Sequence, residues 1–450
     1  MAERSSAGRF LAGVTIVALL AGCRSAATPT PLPATPTPVV PSSPATSPSP
    51  TVTAPTPTMP TPSPAVAPTP TLALTPGTWA PAGTLAESYS VIGVLVAAGD
   101  GRALAAAWLS CPDYTIPYHI EIGDPLTGQW RLAGGPTQPD IGAAIVGLSD
   151  GRVLFAGGAD ELADDESGFG WRSWRTTRLY DPATGKWFSS GPLRTGRLAD
   201  AVALPGGRAL IVGGRASWSA GQPERSLSGA ELWDPKTGRW SAAGQLSSAR
   251  SGPALVALAD GRVLAVGGLR RWADGSSASS ATDVFDPRTR RWTKAGRLPD
   301  PLHPLALVPQ PDGGALAIHV ESYEEVPPEE EVAQDEEPSP SPDSTDAVFR
   351  FNPATGTWSS APELVSLVRT GPAMTVLPDG RLFVVGDAAT RLYDPATGVT
   401  TSMATPFSPG GRPVLLADGS VLVAAWAGTH EDEEGNCVDE PGELWRFIPG

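Results

Sequence analysis

The chain has few of the residues that form metal and redox centres. Its 450 residues include only three cysteines and four histidines. It has no Cys/His spacing typical of a zinc site, no Gly-x-Ser-x-Gly sequence, no phosphate-binding loop and no dinucleotide fingerprint. These absences argue against the enzyme classes that such motifs identify. The sequence therefore predicts no catalytic residues, no metal ligands and no cofactor.

Positive charge is also scarce. Lysine and arginine total 32 against 47 aspartate and glutamate residues, which gives a formal net charge of -15. A nucleic-acid partner requires clustered lysine and arginine on one face, opposite its phosphates. We therefore predict no nucleic-acid partner.

Long apolar runs are limited to the N-terminus. Arg4 and Arg9 precede the apolar stretch Phe10–Leu20, which is too short to cross a bilayer and is typical of an export signal. The junction Leu20–Cys23 resembles a bacterial lipoprotein signal. This resemblance implies that residues 1–23 are a signal peptide and that an acylated Cys23 anchors the exported chain to the cell membrane, outside the cytoplasm. A plain secretory signal is the alternative.

Residues 24–76 consist almost entirely of Pro, Thr, Ser, Ala and Val. Such a composition cannot build an apolar core, so we expect a disordered linker. Polyproline II chain rises about 3.1 Å per residue, so this segment could reach on the order of 150 Å. It would act as a stalk for the domain that follows.

The rest of the chain is dominated by a repeat. A seven-residue motif of the type Asp-Pro-x-Thr-Gly-x-Trp recurs along it, and some copies are imperfect. The motifs begin at positions 124, 181, 234, 286, 352, 394 and 448. Recurrence on this length scale is typical of stacked or radial units, which cannot bury their apolar faces alone.

One repeat shows what each unit contains. The apolar run Ala254–Leu258, the turn at Asp260-Gly261 and the run Arg262–Val266 predict a hairpin. Thr282–Phe285 and Arg291–Lys294, separated by a turn at the Asp-Pro motif, predict two further strands. Four antiparallel strands per repeat are the signature of a propeller blade.

The turns between the first two strands predict seven blades. They fall at residues 100–101, 150–151, 206–207, 260–261, 312–313, 379–380 and 418–419. The chain ends where the fourth strand of the last blade should follow, whereas Gly77–Leu85 resembles such a strand. We therefore predict an all-β, seven-bladed propeller over residues 77–450, closed by an N-terminal strand that completes the last blade.

The Gly-Gly pairs after the second strands, together with the spaced tryptophans, resemble kelch repeats. The pairs are Gly157-Gly158, Gly213-Gly214 and Gly267-Gly268. Blades 1 and 7 instead carry Ala107-Trp108 and Ala425-Trp426. The resemblance implies a kelch-type propeller in which the motif tryptophans pack between blades. Galactose oxidase shares this repeat, but the four histidines are too scattered to suggest its copper chemistry.

Blade topology predicts two different faces. The tight turns share one face, and the long variable connections share the other. The long connections contain acidic runs, including residues 160–166, 324–337 and 431–434. We interpret these runs as solvated, disordered loops in the first instance, with cation or basic-partner binding as the alternative.

Arginine and tryptophan residues on the long-loop face are the candidate ligand contacts. Arg197, Arg250 and Arg369 recur just before first strands, and Trp218 and Trp272 each follow a Gly-Gly pair by four residues. A guanidinium can bind a carboxylate with two hydrogen bonds, and aromatic faces suit sugars and peptides. The alternatives are arginines bonded to carbonyls of the adjacent blade and tryptophans that anchor their own loops.

Two cysteines in the propeller fall in corresponding connections of neighbouring blades. Cys111 lies in blade 1 and Cys437 in blade 7. Export places them where disulfides persist. We therefore predict a disulfide across the seam, with free thiols as the alternative.

These observations favour a cell-envelope-anchored, monomeric kelch propeller that binds a protein, peptide or glycan at its long-loop face. The absence of a catalytic motif favours binding over catalysis. The alternative is a carbohydrate-modifying enzyme, such as an epimerase, lyase or hydrolase, with its site at the central channel. A structural envelope module is a third reading.

Overall fold

A computed structural model describes residues 76–450, except for several short segments and one long connection. The segments outside it are 89–90, 109–118, 136–141, 166–167, 217–224, 273–274, 302–305, 320–345, 369–372, 387–388, 427–428, 432–436 and 440. The expected signal peptide and linker, residues 1–75, also lie outside the described residues.

Seven four-stranded antiparallel sheets form the blades. Blade 1 contains Val91–Ala97, Ala103–Trp108, His119–Asp124 and Gln129–Leu132. Blade 2 contains Ala144–Gly147, Val153–Ala156, Thr177–Asp181 and Lys186–Ser189. Blade 3 contains Leu198–Leu204, Arg208–Arg215, Gly229–Asp234 and Arg239–Gln245. Blade 4 contains Ala254–Ala257, Val263–Val266, Thr282–Asp286 and Arg291–Lys294. Blade 5 contains Ala306–Pro309, Ala315–His319, Ala347–Asn352 and Thr357–Ser360. Blade 6 contains Ala373–Val376, Leu382–Val385, Thr390–Tyr393 and Thr400–Met403. Blade 7 contains Val414–Leu415, Val421–Ala424, Pro441–Ile448 and Thr78–Ser88. The predicted all-β fold and the number of blades are confirmed.

Local turn chemistry explains why each repeat folds into this meander. In blade 4, the Asp260 carboxylate accepts a hydrogen bond from the Arg262 backbone amide at 2.9 Å, and Gly261 supplies a φ of 82°. In the Asp-Pro turn, the Asp286 carboxylate accepts the Arg288 amide at 2.8 Å. Aspartate side chains that cap their own turns fix the hairpin registers.

The N-terminal strand closes the ring as predicted. Thr78–Ser88 pairs with Pro441–Ile448, with Trp79 opposite Phe447 and Pro81 opposite Trp445. The first strand of every blade neighbours the first strands of the blades on both sides, and that of blade 7 neighbours that of blade 1. Closure removes the open sheet edges that would otherwise be exposed.

Packing between blades forms the core. The second strands are almost completely buried, and the motif tryptophans donate indole hydrogen bonds to the preceding blade. The pairs are Trp130 to the Ala82 carbonyl, Trp187 to the Gly134 carbonyl, Trp240 to the Thr177 hydroxyl, Trp292 to the Ala243 carbonyl and Trp358 to the Thr282 hydroxyl. The expectation that these tryptophans pack between blades is confirmed.

The long connections contain secondary structure that the sequence did not predict. Three are β-hairpins, formed by Ala159–Asp165 with Gly168–Ser173, by Leu269–Trp272 with Gly275–Ala278, and by Thr429–Glu431 with Cys437–Asp439. The disordered-loop interpretation of the acidic run 160–166 is thus wrong for residues 160–165, because they form a paired strand. Most of the other two acidic runs lies outside the described residues. Among the described residues, helix is limited to Pro362–Leu364 and Val365–Val368, and neither helix is long enough to cross a membrane.

Candidate functional site

The propeller has two unlike faces. The turn face holds the Asp-Gly and Asp-Pro turns, and the loop face holds the three hairpins and the links between blades. Thr78 pairs with Ile448 at the end of a third strand, so the chain enters the propeller at the turn face. Gly450 lies on the same face, where its carbonyl accepts a hydrogen bond from Arg381. Both ends of the propeller are therefore on the side opposite the hairpins.

Arg197 lies inside blade 3. Its side chain is 3% exposed and forms an ion pair with Glu231 at 2.8 Å. It also donates hydrogen bonds to the carbonyls of Gly213 and Gly229, at 3.1 and 2.7 Å. Burial lowers the pKa of the Arg197 guanidinium, and Glu231 opposes that shift. The guanidinium stays charged, and its partners are all groups of the propeller itself.

Arg250 occupies the equivalent position in blade 4. It is completely buried and pairs with Asp283 at 2.7 Å. Its guanidinium also donates to the Ala265 carbonyl at 3.3 Å. Both arginines hold their own blades together, in a role close to the structural alternative stated above, although their main partners are carboxylates. This geometry does not support direct contact between these two side chains and a ligand.

The carboxylates of these pairs also hold the links that enter each blade. Glu231 accepts the Arg194 amide at 2.8 Å, and Asp283 accepts the Ser247 amide at 3.2 Å. In blade 1, Glu121 accepts the Ala86 amide at 2.7 Å. Each acid lies three residues before the Asp of its Asp-Pro motif. Sequence reasoning missed them, although that constant spacing was a usable signal.

Several predicted site residues cannot be placed. Arg369, Trp218, Cys111 and Cys23 lie outside the described residues. The backbones of Trp272 and Cys437 lie in hairpin strands, but their side chains are not among those described. Ligand binding by the aromatic residues, lipidation of Cys23 and the Cys111–Cys437 disulfide all stay predictions.

The central channel contains a carboxylate that sequence reasoning did not select. The seven first strands surround the channel, and Asp200 is the one ionisable residue within them. Its side chain is exposed to solvent although it lies on an innermost strand, so it faces the channel. The sequence contained a signal for it, because a charge within a predicted inner strand is a departure from an otherwise apolar pattern.

Arg412 lies close to this carboxylate. It belongs to the link that precedes the first strand of blade 7, across the ring from blade 3. Crowding by the surrounding protein raises the pKa of the Asp200 carboxyl, and the Arg412 guanidinium opposes that rise. A carboxylate that faces the channel near a guanidinium offers an acceptor to a ligand.

The rim of blade 7 adds an aromatic surface. Trp426 is 39% exposed, and its backbone amide donates to the Ser408 carbonyl at 2.6 Å, beside the link that carries Arg412. Blades 2 to 4 have glycine at this position, and blade 1 has Trp108. The rim of blade 7 therefore places a flat apolar surface next to the channel mouth.

The histidines do not suggest a metal centre in the described part of the chain. His119 begins the third strand of blade 1, and His319 ends the second strand of blade 5. Among the residues with described side chains, no group of three or more His, Cys, Asp or Glu side chains could hold a metal ion. The donor set needed for copper is thus not assembled there.

Comparisons with known proteins agree with this architecture. No protein-family model matches the chain. It is 26% identical over 215 residues to Kelch-like protein 25 of Xenopus tropicalis and 26% identical over 227 residues to Kelch-like protein 35 of Mus musculus. These alignments cover 48% and 50% of this chain but only 33% and 32% of the two relatives. Beta-scruin of Limulus polyphemus is 27% identical over 123 residues, which is 27% of this chain and 13% of that protein.

A solved structure shows the same fold at low sequence identity. It is a fungal alcohol oxidase of the AA5 family in complex with copper, with a TM-score of 0.52 and 18% identity. The match covers 83% of this chain and 77% of the oxidase. Identity at this level carries the fold but not the chemistry. The similarities and the seven closed sheets together show a kelch-type β-propeller.

Proposed function

We propose that this seven-bladed kelch-type propeller is an exported, lipid-anchored binding protein whose loop face binds a protein, peptide or glycan. The observation that carries the proposal is the contrast between its faces. The loop face has the hairpins, the exposed Trp426 and the channel mouth with Asp200, and it lies opposite both ends of the propeller. Loops on a rigid scaffold are the usual location of recognition.

The N-terminal features fit this arrangement. An acylated Cys23 and the Pro-rich segment 24–76 would tether the propeller through Thr78, which lies on the turn face. A tether on that face leaves the loop face free for a partner. Radiolabelled fatty acid should be incorporated by the chain and lost with Cys23→Ser, and unchanged incorporation would remove the anchor from the proposal.

Exposed arginines on the loop face, which also carries the acidic run 160–166, indicate the chemistry of the partner. Six exposed arginines lie on the loop-face segments of blades 2 to 4 in a chain of net charge -15. They are Arg172, Arg175, Arg194, Arg225, Arg270 and Arg297. Arg172 also stacks 4.5 Å above the Trp174 ring. We infer that a carboxylate-bearing peptide or glycan binds here, with Arg369, Trp218 and Trp272 as further contacts.

Peptide and glycan arrays probed with the purified full chain test this function. Any bound probe is then measured with Trp426→Ala and Arg194→Ala, which alter the loop face. Leu126→Ala is the matched control, because Leu126 is 63% exposed in a tight turn on the other face. We expect losses of about tenfold or more for the loop-face variants, in the range of a buried interface contact. Equal losses for Leu126→Ala, or none for the loop-face pair, would contradict the proposal.

The second candidate is a carbohydrate-modifying enzyme with its site in the channel. Asp200 beside Arg412 is the observation that favours it. Most glycoside hydrolases need two carboxylates, and the described inner strands supply one. Binding is therefore the preferred function. If the chain converts a glycan from the array and Asp200→Asn abolishes that conversion, catalysis would become the preferred function.

A disulfide between Cys111 and Cys437 is part of the proposal. The second-to-third-strand connections of blades 1 and 7 that contain them belong to neighbouring blades in the closed ring. A bond there would join the two sides of the seam. Peptide mass analysis without reductant should find the linked pair, and two free thiols would exclude it.

A further inference from the structure

The turn face has a local charge excess that the repeat does not require. In blades 1 and 2, the turns carry four basic and four acidic residues, so they are balanced. These are Arg102, Arg131, Arg152, Lys186, Asp100, Asp124, Asp150 and Asp181. The corresponding turns of blades 3 and 4 carry seven basic and three acidic residues. They are Arg208, Lys236, Arg239, Arg262, Arg288, Arg290, Arg291, Asp234, Asp260 and Asp286.

Part of the excess comes from basic residues where most other blades have neutral ones, and part comes from Gly206, which stands where the other six blades have aspartate. Arg290 replaces the glycine of the Asp-Pro motif and adopts a φ of 57°, the one described non-glycine residue with positive φ. Glycine occupies this position in five other blades, at Gly128, Gly185, Gly238, Gly356 and Gly398. A left-handed conformation costs a non-glycine residue about 1 to 2 kcal/mol, so Arg290 lowers the stability of the fold relative to glycine.

The surplus charges are exposed and adjoin a groove. Arg288 is 88% exposed, and Arg290 and Arg291 are also exposed. A groove of about 520 Å³ beside the two turns is lined by Arg262, Arg288, Arg291, Thr289, Asp260 and Asp286. Arg262 pairs with Asp260 at 2.6 Å and Arg288 with Asp286 at 3.5 Å. Local pairing therefore accounts for the acids of blade 4 and leaves the charge of Arg290 and Arg291 in excess.

We propose that this basic patch, formed by Arg208, Lys236, Arg239, Arg288, Arg290 and Arg291, binds the phosphate headgroups of an anionic membrane surface. The choice of a membrane rests on the charge of the patch and on the proposed anchor, which would keep the propeller near a membrane. Thr78 and the patch lie on the same face, so the linker does not have to pass around the propeller for the patch to reach that membrane. This choice draws on the proposed anchor but not on ligand binding by the loop face, which can fail without affecting it.

Flotation with lipid vesicles tests the proposal. The full chain carrying Cys23→Ser is mixed with vesicles of phosphatidylcholine alone or with 30% phosphatidylglycerol, at low and at 0.5 M salt. Because the N-terminal apolar segment contributes to both mixtures, the readout is the difference between them. We expect stronger binding to the anionic vesicles, and we expect that difference to vanish at high salt, where surface charges are screened.

Three variants localise the effect. Arg288→Ala, Arg290→Gly and Arg291→Gln combined should weaken the anionic preference about 100-fold, since each basic residue near such a surface contributes about fivefold. Lys186→Gln in blade 2, at the position equivalent to Arg291, should change it by about fivefold at most. Arg290→Gly alone should weaken binding while raising the unfolding midpoint by about 1 to 2 °C, because strain is released. That combination separates a binding effect from loss of folding.

Two results would overturn the assignment. One is equal binding to neutral and anionic vesicles, or an unchanged preference in the triple variant. The other is competition by inorganic phosphate or by double-stranded DNA beyond that of chloride at equal ionic strength. Such competition would identify the patch as a site for free phosphate or for a nucleic acid instead of a lipid surface.

Discussion

Two arginine–carboxylate arrangements in this molecule have the same chemistry and opposite surroundings. Arg250 and Asp283 are enclosed within blade 4, at 0% and 1% exposure. Asp200 and Arg412 come from opposite blades, and Asp200 is open to the water of the channel. A pair that is enclosed within a blade supports the scaffold, because no ligand can reach it. A carboxylate at an open channel can exchange its water contacts for a ligand, so the surroundings decide the role.

The largest expected effect comes from breaking a buried pair. Arg250→Ala leaves the Asp283 carboxylate buried without its cation, and loss of one partner of such a pair costs about 3–5 kcal/mol. Urea unfolding of the purified chain measures it. Arg262→Ala is the control, because its pair with Asp260 is at the surface and should contribute at most about 1 kcal/mol. Equal destabilisation by the two variants would remove the distinction between buried and exposed pairs.

The next effect concerns the space that the buried arginines need. Gly213 has a φ of 58°, and a Cβ there would lie 2.5 Å from the Arg250 carbonyl oxygen. Gly213→Ala should therefore destabilise by about 1–3 kcal/mol from the clash, in addition to backbone strain. Gly261→Ala has a φ of 82° but meets nothing within 4 Å, so only about 1 kcal/mol of strain is expected. Thermal unfolding measures the stability of both variants. A larger loss of stability for Gly261→Ala than for Gly213→Ala would contradict this expectation.

The sequence predicted the scaffold because turns and apolar runs are local signals. The Asp-Gly and Asp-Pro turns fix both the number of blades and the positions of the strands, and the terminal strands predicted closure. The role of Arg197 could not be predicted from local sequence signals. Its partner Glu231 is 34 residues away in the chain and meets it only when the third strand is in register. The hairpins in the long connections were also not predicted, because polar and apolar residues alternate only weakly there.

The candidate site was predicted less well than the scaffold. Residues were selected because they recur, and recurrence in a repeat protein mainly reports what every blade needs. Arg197 and Arg250 recur for that reason. Asp200 does not recur, and Trp426 has a counterpart in one other blade, at Trp108 of blade 1; Asp200 and Trp426 are both exposed at the channel or its rim. In this fold, departures from the repeat are the better guide to recognition.

A smaller effect should appear in the pH dependence of stability. The pKa of the Asp200 carboxyl is raised by its crowded surroundings, so the folded state holds the proton to higher pH than the unfolded chain does. The protonated carboxyl favours folding at acid pH, and this contribution is lost as pH rises through the folded-state pKa. Asp200→Asn should remove that loss, so the variant gains stability over the parent between acid and neutral pH.

Arg412 provides the control for the Asp200 titration. Because its guanidinium opposes the rise in the Asp200 pKa, Arg412→Gln should move the pH-dependent loss to higher pH. Thermal unfolding across the acid range measures both variants. Parallel pH profiles for the parent and Asp200→Asn would show that Asp200 does not titrate in crowded surroundings.

The smallest expected change in stability is at the rim. Trp426 is exposed and lies at the end of a strand, so Trp426→Ala should change the free energy of unfolding by about 0.5 kcal/mol or less. Trp240→Ala is the contrasting variant, because Trp240 is 8% exposed and bonded to the preceding blade, and it should cost about 3–5 kcal/mol. A large loss at Trp426 would assign that residue to the scaffold.

The most direct test compares the two arginines in one experiment. The free energy of unfolding in urea is measured for Arg197→Ala, in the buried pair with Glu231, and for Arg412→Ala, at the channel. The account predicts a loss of about 3–5 kcal/mol for Arg197→Ala and of at most about 1 kcal/mol for Arg412→Ala. Equal losses, or a larger loss for Arg412→Ala, would contradict the separation of scaffold from site.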